Sequence, residues 1–334
     1  MGPAIIVALV IALAVFLIVR IRLSPVRKTE QNGMNNVVEI FPEKKRTISV
    51  DYKAMFPKLV RNAIKLDFDI GTDTQAKAGS SKFGGQPDMP EGFAWPYYKY
   101  IDDNETEQSR PLSFLLQINC GEVSAYDKDR LLPDTGMLYF FYELDSMKWG
   151  FDPKDKGSAA VYYFDTGGLV RQPFPRDLAP EYRLQEMQVA FAAKRDLPDY
   201  EEFAENNTAE EYDFEEYGGQ RTEFGYTEEE GNRSKLLGYA DVIQNSMLLE
   251  CEMAANGIYT GDGGVFAFRN LSEERRKALS ENCKQWRLLL QLDSVSKGNF
   301  ELMFGDCGHI YYYIREGDLA GRNFDNCWLI LQCY

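Results

Sequence analysis

The chain has 334 residues, 44% apolar and 27% charged, enough for one large or two modest globular domains and unlike a disordered or collagen-like polymer. Its single histidine excludes mechanisms that need two imidazoles, including a histidine-rich zinc site and the HExxH protease helix. A net charge of −15 argues against a nucleic-acid partner, because neutralising phosphates needs a basic face.

Residues 4–19 read AIIVALVIALAVFLIV, and Arg20 and Arg22 can snorkel so that the apolar stretch reaches residue 23. About twenty residues at about 1.5 Å rise span about 30 Å, the thickness of a bilayer core. The first basic residues follow this run, the reverse of a secretory signal, so residues 1–23 are expected to be a retained transmembrane anchor. The positive-inside rule then puts the body in the cytoplasm, as the C-terminal domain of a single-pass cell-membrane protein. Residues 24–48, polar and carrying Lys44-Lys45-Arg46, read as a linker, and the folded body is expected over 49–334. Six cysteines without a CxxC pair fit free thiols in a reducing compartment.

Residues 61–70 alternate, with Ile64, Leu66, Phe68 and Ile70 apolar and Lys65, Asp67 and Asp69 between them, which predicts a half-buried strand. Residues 80–96, with Gly84-Gly85 and three prolines, predict a structured loop without regular helix or strand, and no GK[ST] makes it a phosphate cradle. Beyond it the sequence repeats. Leu115-Leu116-Gln117-Ile118-Asn119 matches Leu289-Leu290-Gln291-Leu292-Asp293, and the stretch from Asp134 through Gly136 to Phe141 matches Asp306 through Gly308 to Tyr313. A fainter third block aligns Lys82-Phe83-Gly84-Gly85 with Lys235-Leu236-Leu237-Gly238. Three blocks in one order predict an internal duplication, with halves of about 49–180 and 181–334. Helices are expected over 241–253 and 272–284, and a closing strand over 328–334. The fold class is therefore α+β, mainly antiparallel β with two similar sheet-rich halves, plus the N-terminal transmembrane helix.

SKFGGQPDMPEGFAWP, PLSFLLQIN, LLPDTGMLYFFY, SKLLGYADVIQ, WRLLLQLDS, FGDCGHIYYYI and the terminal CWLILQCY resemble the YwqG-like family, a domain of unknown function found mostly in bacterial proteins. The resemblance runs from about residue 51 to 334. It implies a compact duplicated, sheet-rich domain and brings no established activity or catalytic residue. Ala240 stands where the family would favour proline, and the anchor lies outside the family domain.

Cys307, His309, Cys327 and Cys333 could be imagined as a zinc site, but the first half holds Thr135 and Met137 at the positions of Cys307 and His309, so no metal or other cofactor is expected and His309 reads as a solvent-facing strand residue. No GxSxG elbow occurs, and no catalytic residue is assigned. The polar positions that recur, Gln117, Asn119, Asp134, Gln291, Asp293 and Asp306, are the candidates for a ligand groove; the competing reading is that they satisfy local backbone at strand ends and turns. Residues 196–231 hold 14 Asp plus Glu against the single base Arg221, with tyrosines and phenylalanines interleaved. This acidic insertion reads as a solvated, partly helical segment that buries little, or as a docking surface for a basic protein through Glu210, Glu211, Tyr212, Glu215 and Glu216. The preferred function is a membrane-tethered, non-catalytic binding module for a protein partner at the cytoplasmic face. The alternative is a carboxylate-based hydrolase or ligand-processing enzyme with a groove between the halves. The sequence leaves the oligomeric state open.

Overall fold

The computed structural model describes residues 50–334 except 71–75, 103, 166, 208–211, 227–230 and 262–263. The anchor and linker expected over 1–23 and 24–48 lie outside the described residues. Among the described residues no helix is long and apolar enough to cross a membrane.

Helix α1 (Tyr52–Leu59) starts where the Asp51 carboxylate accepts the Ala54 N–H, and it leads into β1 (Arg61–Asp69). The alternation of β1 sends Ile64, Leu66 and Phe68 into the core and leaves Asp67 and Asp69 exposed. Then come β2 (Lys82–Phe83), β3 (Asp88–Pro90), β4 (Tyr97–Ile101), β5 (Glu107–Pro111), β6 (Ser113–Asn119), α2 (Cys120–Val123), β7 (Met137–Tyr142), β8 (Ala159–Phe164), β9 (Leu169–Arg171) and β10 (Met187–Asp196). The remainder holds α3 (Tyr200–Asn206), α4 (Phe214–Glu223), β11 (Lys235–Leu237), α5 (Leu248–Ala255), α6 (Val265–Arg269), α7 (Glu273–Asn282), β12 (Trp286–Asp293), β13 (Val295–Lys297), β14 (Phe300–Leu302), β15 (His309–Arg315), α8 (Glu316–Ala320) and β16 (Trp328–Gln332).

Ten described strands form one antiparallel sheet in the order β16, β15, β12, β11, β1, β10, β2, β6, β7, β8. β1 and β10 pair at its centre along the whole of β1, Arg61 opposite Asp196 through Asp69 opposite Gln188. Moving outward from this pair, each side offers a two- or three-residue strand and then longer ones. Lys82 lies opposite Gln117 on one side and Lys235 opposite Gln291 on the other. The register slips once between Phe114 and Leu116 and once between Leu288 and Leu290. Each bulge turns two consecutive leucines, 115–116 and 289–290, into the core and sends the following glutamine to the outer face.

The sheet curls around one large core that includes Leu66, Phe83, Leu116, Phe140, Leu290 and Tyr312. Its ends approach each other: Tyr312 Oη donates to the Phe141 carbonyl at 2.9 Å, and Trp328 Nε1 to the Gly150 carbonyl at 2.9 Å. Two smaller clusters cover the outer face. Met89, Tyr98, Phe114, Tyr139 and Phe141 pack under the loop carrying Phe93 and Trp95 on the first side, and Met247, Leu248, Trp286, Tyr311 and Tyr313 pack beneath α5 on the second.

Several expectations need correction. The loop over 80–96 contains the short strands β2 and β3, because the sheet needs partners for β6, β10 and β9. The helix expected over 241–253 begins only at Leu248. The N–H groups of Asp241, Val242, Ile243 and Gln244 are already taken by Gln291 Oε1, the Asp199 carboxylate and Gln332 Oε1, which holds that stretch extended. The second helix keeps its expected start, with Ser272 Oγ accepting the Arg275 N–H. His309 is buried rather than solvent-facing, on the side of β15 that bears Tyr311.

Candidate functional site

Two networks of buried charge sit on the outer face of the sheet. Lys82 is fully buried and donates to the Gln86 carbonyl at 2.6 Å and to Glu186 Oε2 at 3.0 Å, with Asp88 Oδ2 at 3.6 Å. Arg171 Nε donates to Asp88 Oδ1 at 2.8 Å. Burial opposes ionisation of Asp88, but the Arg171 and Gln117 hydrogen bonds and the Lys82 charge together hold its carboxyl below the usual carboxylate range. On the other side Lys235 donates to Asp241 Oδ2 at 2.9 Å and to Asp196 Oδ2 at 3.1 Å. Burial alone would lower the Lys235 ammonium; Asp196 and Asp241 hold it above the ordinary lysine range, and it pulls Asp241 down to about 2 against that carboxyl's own desolvation.

Both glutamines close these networks. Gln117 Oε1 accepts the Asp88 N–H at 2.9 Å while its amide nitrogen donates to Asp88 Oδ2 and the Ser80 carbonyl. Gln291 Oε1 accepts the Asp241 N–H at 2.9 Å while its amide nitrogen donates to Asp241 Oδ2 and the Arg233 carbonyl. Tyr139 and Tyr311 complete the match by donating to the carbonyls of Asp88 and Asp241. Lys235, its ammonium held above the ordinary lysine range, stays charged and is no general base. Sequence reasoning missed Lys82, Asp88, Lys235 and Asp241 as a set. The signal was present: Asp88 and Asp241 each stand six residues after the lysine of the faint third block.

The other recurring positions do not join these networks in a shared groove. Asn119 caps α2 with Oδ1 on the Gly121 N–H and donates to the Gly79 carbonyl at 2.8 Å. Asp293 Oδ2 accepts the Arg233 N–H at 3.0 Å, and its Oδ1 lies 2.9 Å from His309 Nδ1. Neither ring nitrogen of His309 makes a hydrogen bond among the described residues. Asp134 and Asp306 are exposed on their turns. Among the described residues no three His, Cys, Asp or Glu side chains stand close enough to share a metal ion.

The acidic insertion has two sides. Its inner side is aromatic: Phe203 and Tyr217 stack at 4.7 Å, and the Tyr52 ring from α1 meets Tyr217 at 5.3 Å. Phe203 and Tyr217 are each 1% exposed and Tyr52 and Phe56 are fully buried, so the expectation that this segment buries little is corrected. Tyr217 Oη donates to the Pro198 carbonyl at 2.7 Å, and Asp213 caps α4 by accepting the Glu216 N–H at 2.8 Å. Its outer side carries Asp213 and Glu215, exposed, and Glu216, half-buried, around Phe214, whose side chain is 61% exposed. Of the docking candidates, Tyr212 lies half-buried against Phe203, Glu215 and Glu216 sit on α4, and Glu210 and Glu211 lie outside the described residues.

On the buried sides of α3 and α5, burial raises Glu202 to about 7, with Arg61 offsetting part of the effect, and raises Glu250 to about 8 against the Asn245 hydrogen bond. Glu250 Oε1 accepts from Asn245 Nδ2 at 2.7 Å, while its Oε2 has no partner among the described residues. Glu202 has the Arg61 guanidinium 4.0 Å from its Oε1, and the charge of Glu205 adds to the upward shift of both acids.

No curated protein matches the chain. A family model described as a domain of unknown function, DUF1963, matches residues 81–333, most of the chain, and the chain belongs to that family.

Proposed function

We propose that the chain is a membrane-tethered, non-catalytic binding module whose acidic insertion engages a basic protein partner at the cytoplasmic face. The observation that carries this reading is Phe214, 61% exposed between Asp213 and Glu215 on a segment whose inner side is fixed by buried aromatics. An exposed ring among carboxylates, set edge-on to Tyr200 at 5.3 Å, suits an anchor for a partner's apolar spot rimmed by lysine or arginine. The apolar residues 4–19, followed by basic ones, support the tether and its orientation. We also read the family membership more narrowly as YwqG-like, on the loop and terminal motifs, and infer an internal duplication from the repeated blocks and the matching Lys–Asp–Gln networks. The hydrolase alternative gains no support, because Gln117 and Gln291 are bound up in local hydrogen bonds and Asp134 and Asp306 stand apart from them.

The test is affinity capture by the full chain and by a Phe214→Ser/Glu215→Gln/Glu216→Gln variant. A basic protein retained by the first, lost by the second and released by salt supports the proposal; equal capture by both overturns it. Protease applied to intact cells should spare the body, and its digestion from outside would reverse the orientation.

A further inference from the structure

Where the end of β10 meets the C-terminal end of α4 there is a cleft of ≈ 240 Å³. Val60, Leu197 and Phe224 give it apolar walls, and Lys194, Arg195 and Tyr226 give it polar ones. Its two charged lining residues are therefore cations, although it borders the segment that carries most of the chain's negative charge. The Arg195 guanidinium lies 5.8 Å from the Phe224 ring centre, and Lys194 Nζ lies 5.7 Å from that of Tyr226. Tyr226 is held in place by its hydroxyl on Asp196 and by Arg221 over its ring at 4.5 Å. Leu197, 1% exposed, makes a firm floor.

We propose that this cleft binds a small organic monocarboxylate whose body is a single ring or a short apolar chain. Arginine presents a planar fork that matches a carboxylate with two hydrogen bonds, and Lys194, the preceding residue of β10, adds a second positive charge to the lining. The apolar walls take the body, with Phe224 and Tyr226 offering ring faces and edges. The volume falls below the roughly 300–1,000 Å³ of sites for drug-sized ligands, which limits the occupant to about one ring. Inorganic phosphate fits less well, since a dianion gains nothing from the apolar walls and meets the field of a chain with net charge −15. The inference is independent of the docking surface, for it uses none of Phe214, Glu215 or Glu216.

The test is calorimetric titration of the full chain with benzoate, benzyl alcohol and inorganic phosphate. Benzoate should bind with Kd on the order of 1 mM, the range expected for so few heavy atoms, and the uncharged alcohol and phosphate at least about tenfold more weakly. Arg195→Leu should weaken benzoate by about tenfold, and Arg195→Lys, which keeps the charge but loses the fork, by several-fold. Circular dichroism of each variant checks that the fold is kept. Benzoate that binds no tighter than benzyl alcohol or phosphate, or with the same affinity in Arg195→Lys and Lys194→Leu as in the parent chain, would overturn the assignment.

Discussion

Replacing Lys235 with methionine keeps the length of the side chain and deletes an ammonium that touches Asp241 at 2.9 Å and Asp196 at 3.1 Å. The donors that remain to these carboxylates, Gln291 Nε2, the Tyr239 N–H and Tyr226 Oη, are neutral, so two buried charges lose the cation that bridges them. Breaking one partner out of such a network costs about 3–5 kcal/mol, a large part of the roughly 5–15 kcal/mol that holds a domain folded. At about 2–4 °C per kcal/mol, the midpoint of thermal unfolding should fall by about 6–20 °C at pH 7. The pH dependence gives a second signature. In the parent chain Asp241 is held down to about 2, so its stabilising contribution is present above the ordinary carboxylate value and lost as pH falls through about 2. In Lys235→Met the same carboxyl takes up a proton near or above that ordinary value, which relieves the buried charge. The difference between the two chains should therefore shrink between pH 7 and about pH 4. Urea unfolding followed by far-ultraviolet circular dichroism measures both quantities. Lys82→Met, which strips Glu186, Asp88 and the Gln86 carbonyl of their shared donor, should cost a similar amount. A loss below about 1 kcal/mol for Lys235→Met, or a loss that does not change with pH, would refute the argument.

Glu202 and Glu250 invert that sign. Raised to about 7 and about 8 by burial, they favour the fold while protonated, a contribution fully present below the ordinary glutamate value and lost as pH rises through those points. Glu202→Gln and Glu250→Gln should each leave unfolding nearly unchanged at pH 4 and stabilise by about 2–4 kcal/mol at pH 8.5 in denaturant titrations; equal effects at both pH values would contradict this. On the insertion, Tyr217→Ala should cost about 3–5 kcal/mol, whereas Phe214→Ser should change stability by less than about 0.5 kcal/mol, and calorimetric scans distinguish the two. Gly238 adopts φ +78°, and a Cβ there would lie 2.4 Å from Asp196 Oδ2 and 2.8 Å from Ala63 Cβ. Gly238→Ala should therefore lose more than about 2 kcal/mol, while Gly92→Ala, at φ +81° with no described atom within 4 Å of the new carbon, loses about 1 kcal/mol by the same urea assay.

What the sequence made legible was local chemistry. The alternation of residues 61–70 gave β1 to within one residue, and Ser272 marked the start of α7 because its hydroxyl finds the Arg275 N–H three residues on. What stayed hidden depended on partners far along the chain. Asp241 reads as a good helix cap, but Lys235 and Gln291 take its carboxylate and Gln332 takes the N–H groups of Ile243 and Gln244, so tertiary acceptors replace the helix that local propensity favours. The acidic insertion reads as solvated from its charge. Phe203 and Tyr217 are buried because Tyr52 and Phe56, well over a hundred residues upstream, lie against them.

Under the proposed duplication, recurrence and function part company. A polar residue present in both halves is one that the fold needs twice. The glutamines and tyrosines around Asp88 and Asp241 fit that description, since each closes the hydrogen bonding of a buried aspartate that neighbouring cations, Arg171 and Lys82 for Asp88 and Lys235 for Asp241, help to keep ionised. Losing one would strand a buried donor or charge, which is reason enough for its presence without any ligand. A site that acts once per molecule is better sought in what is not repeated. Segment 196–231 meets that condition: its inner aromatics hold it to α1, its outer face exposes Phe214 among carboxylates, and its C-terminal end closes the cleft with Lys194 and Arg195. Structural need accounts for its inner face and leaves both outward features unexplained, and these are the two places where the docking and carboxylate proposals put their tests.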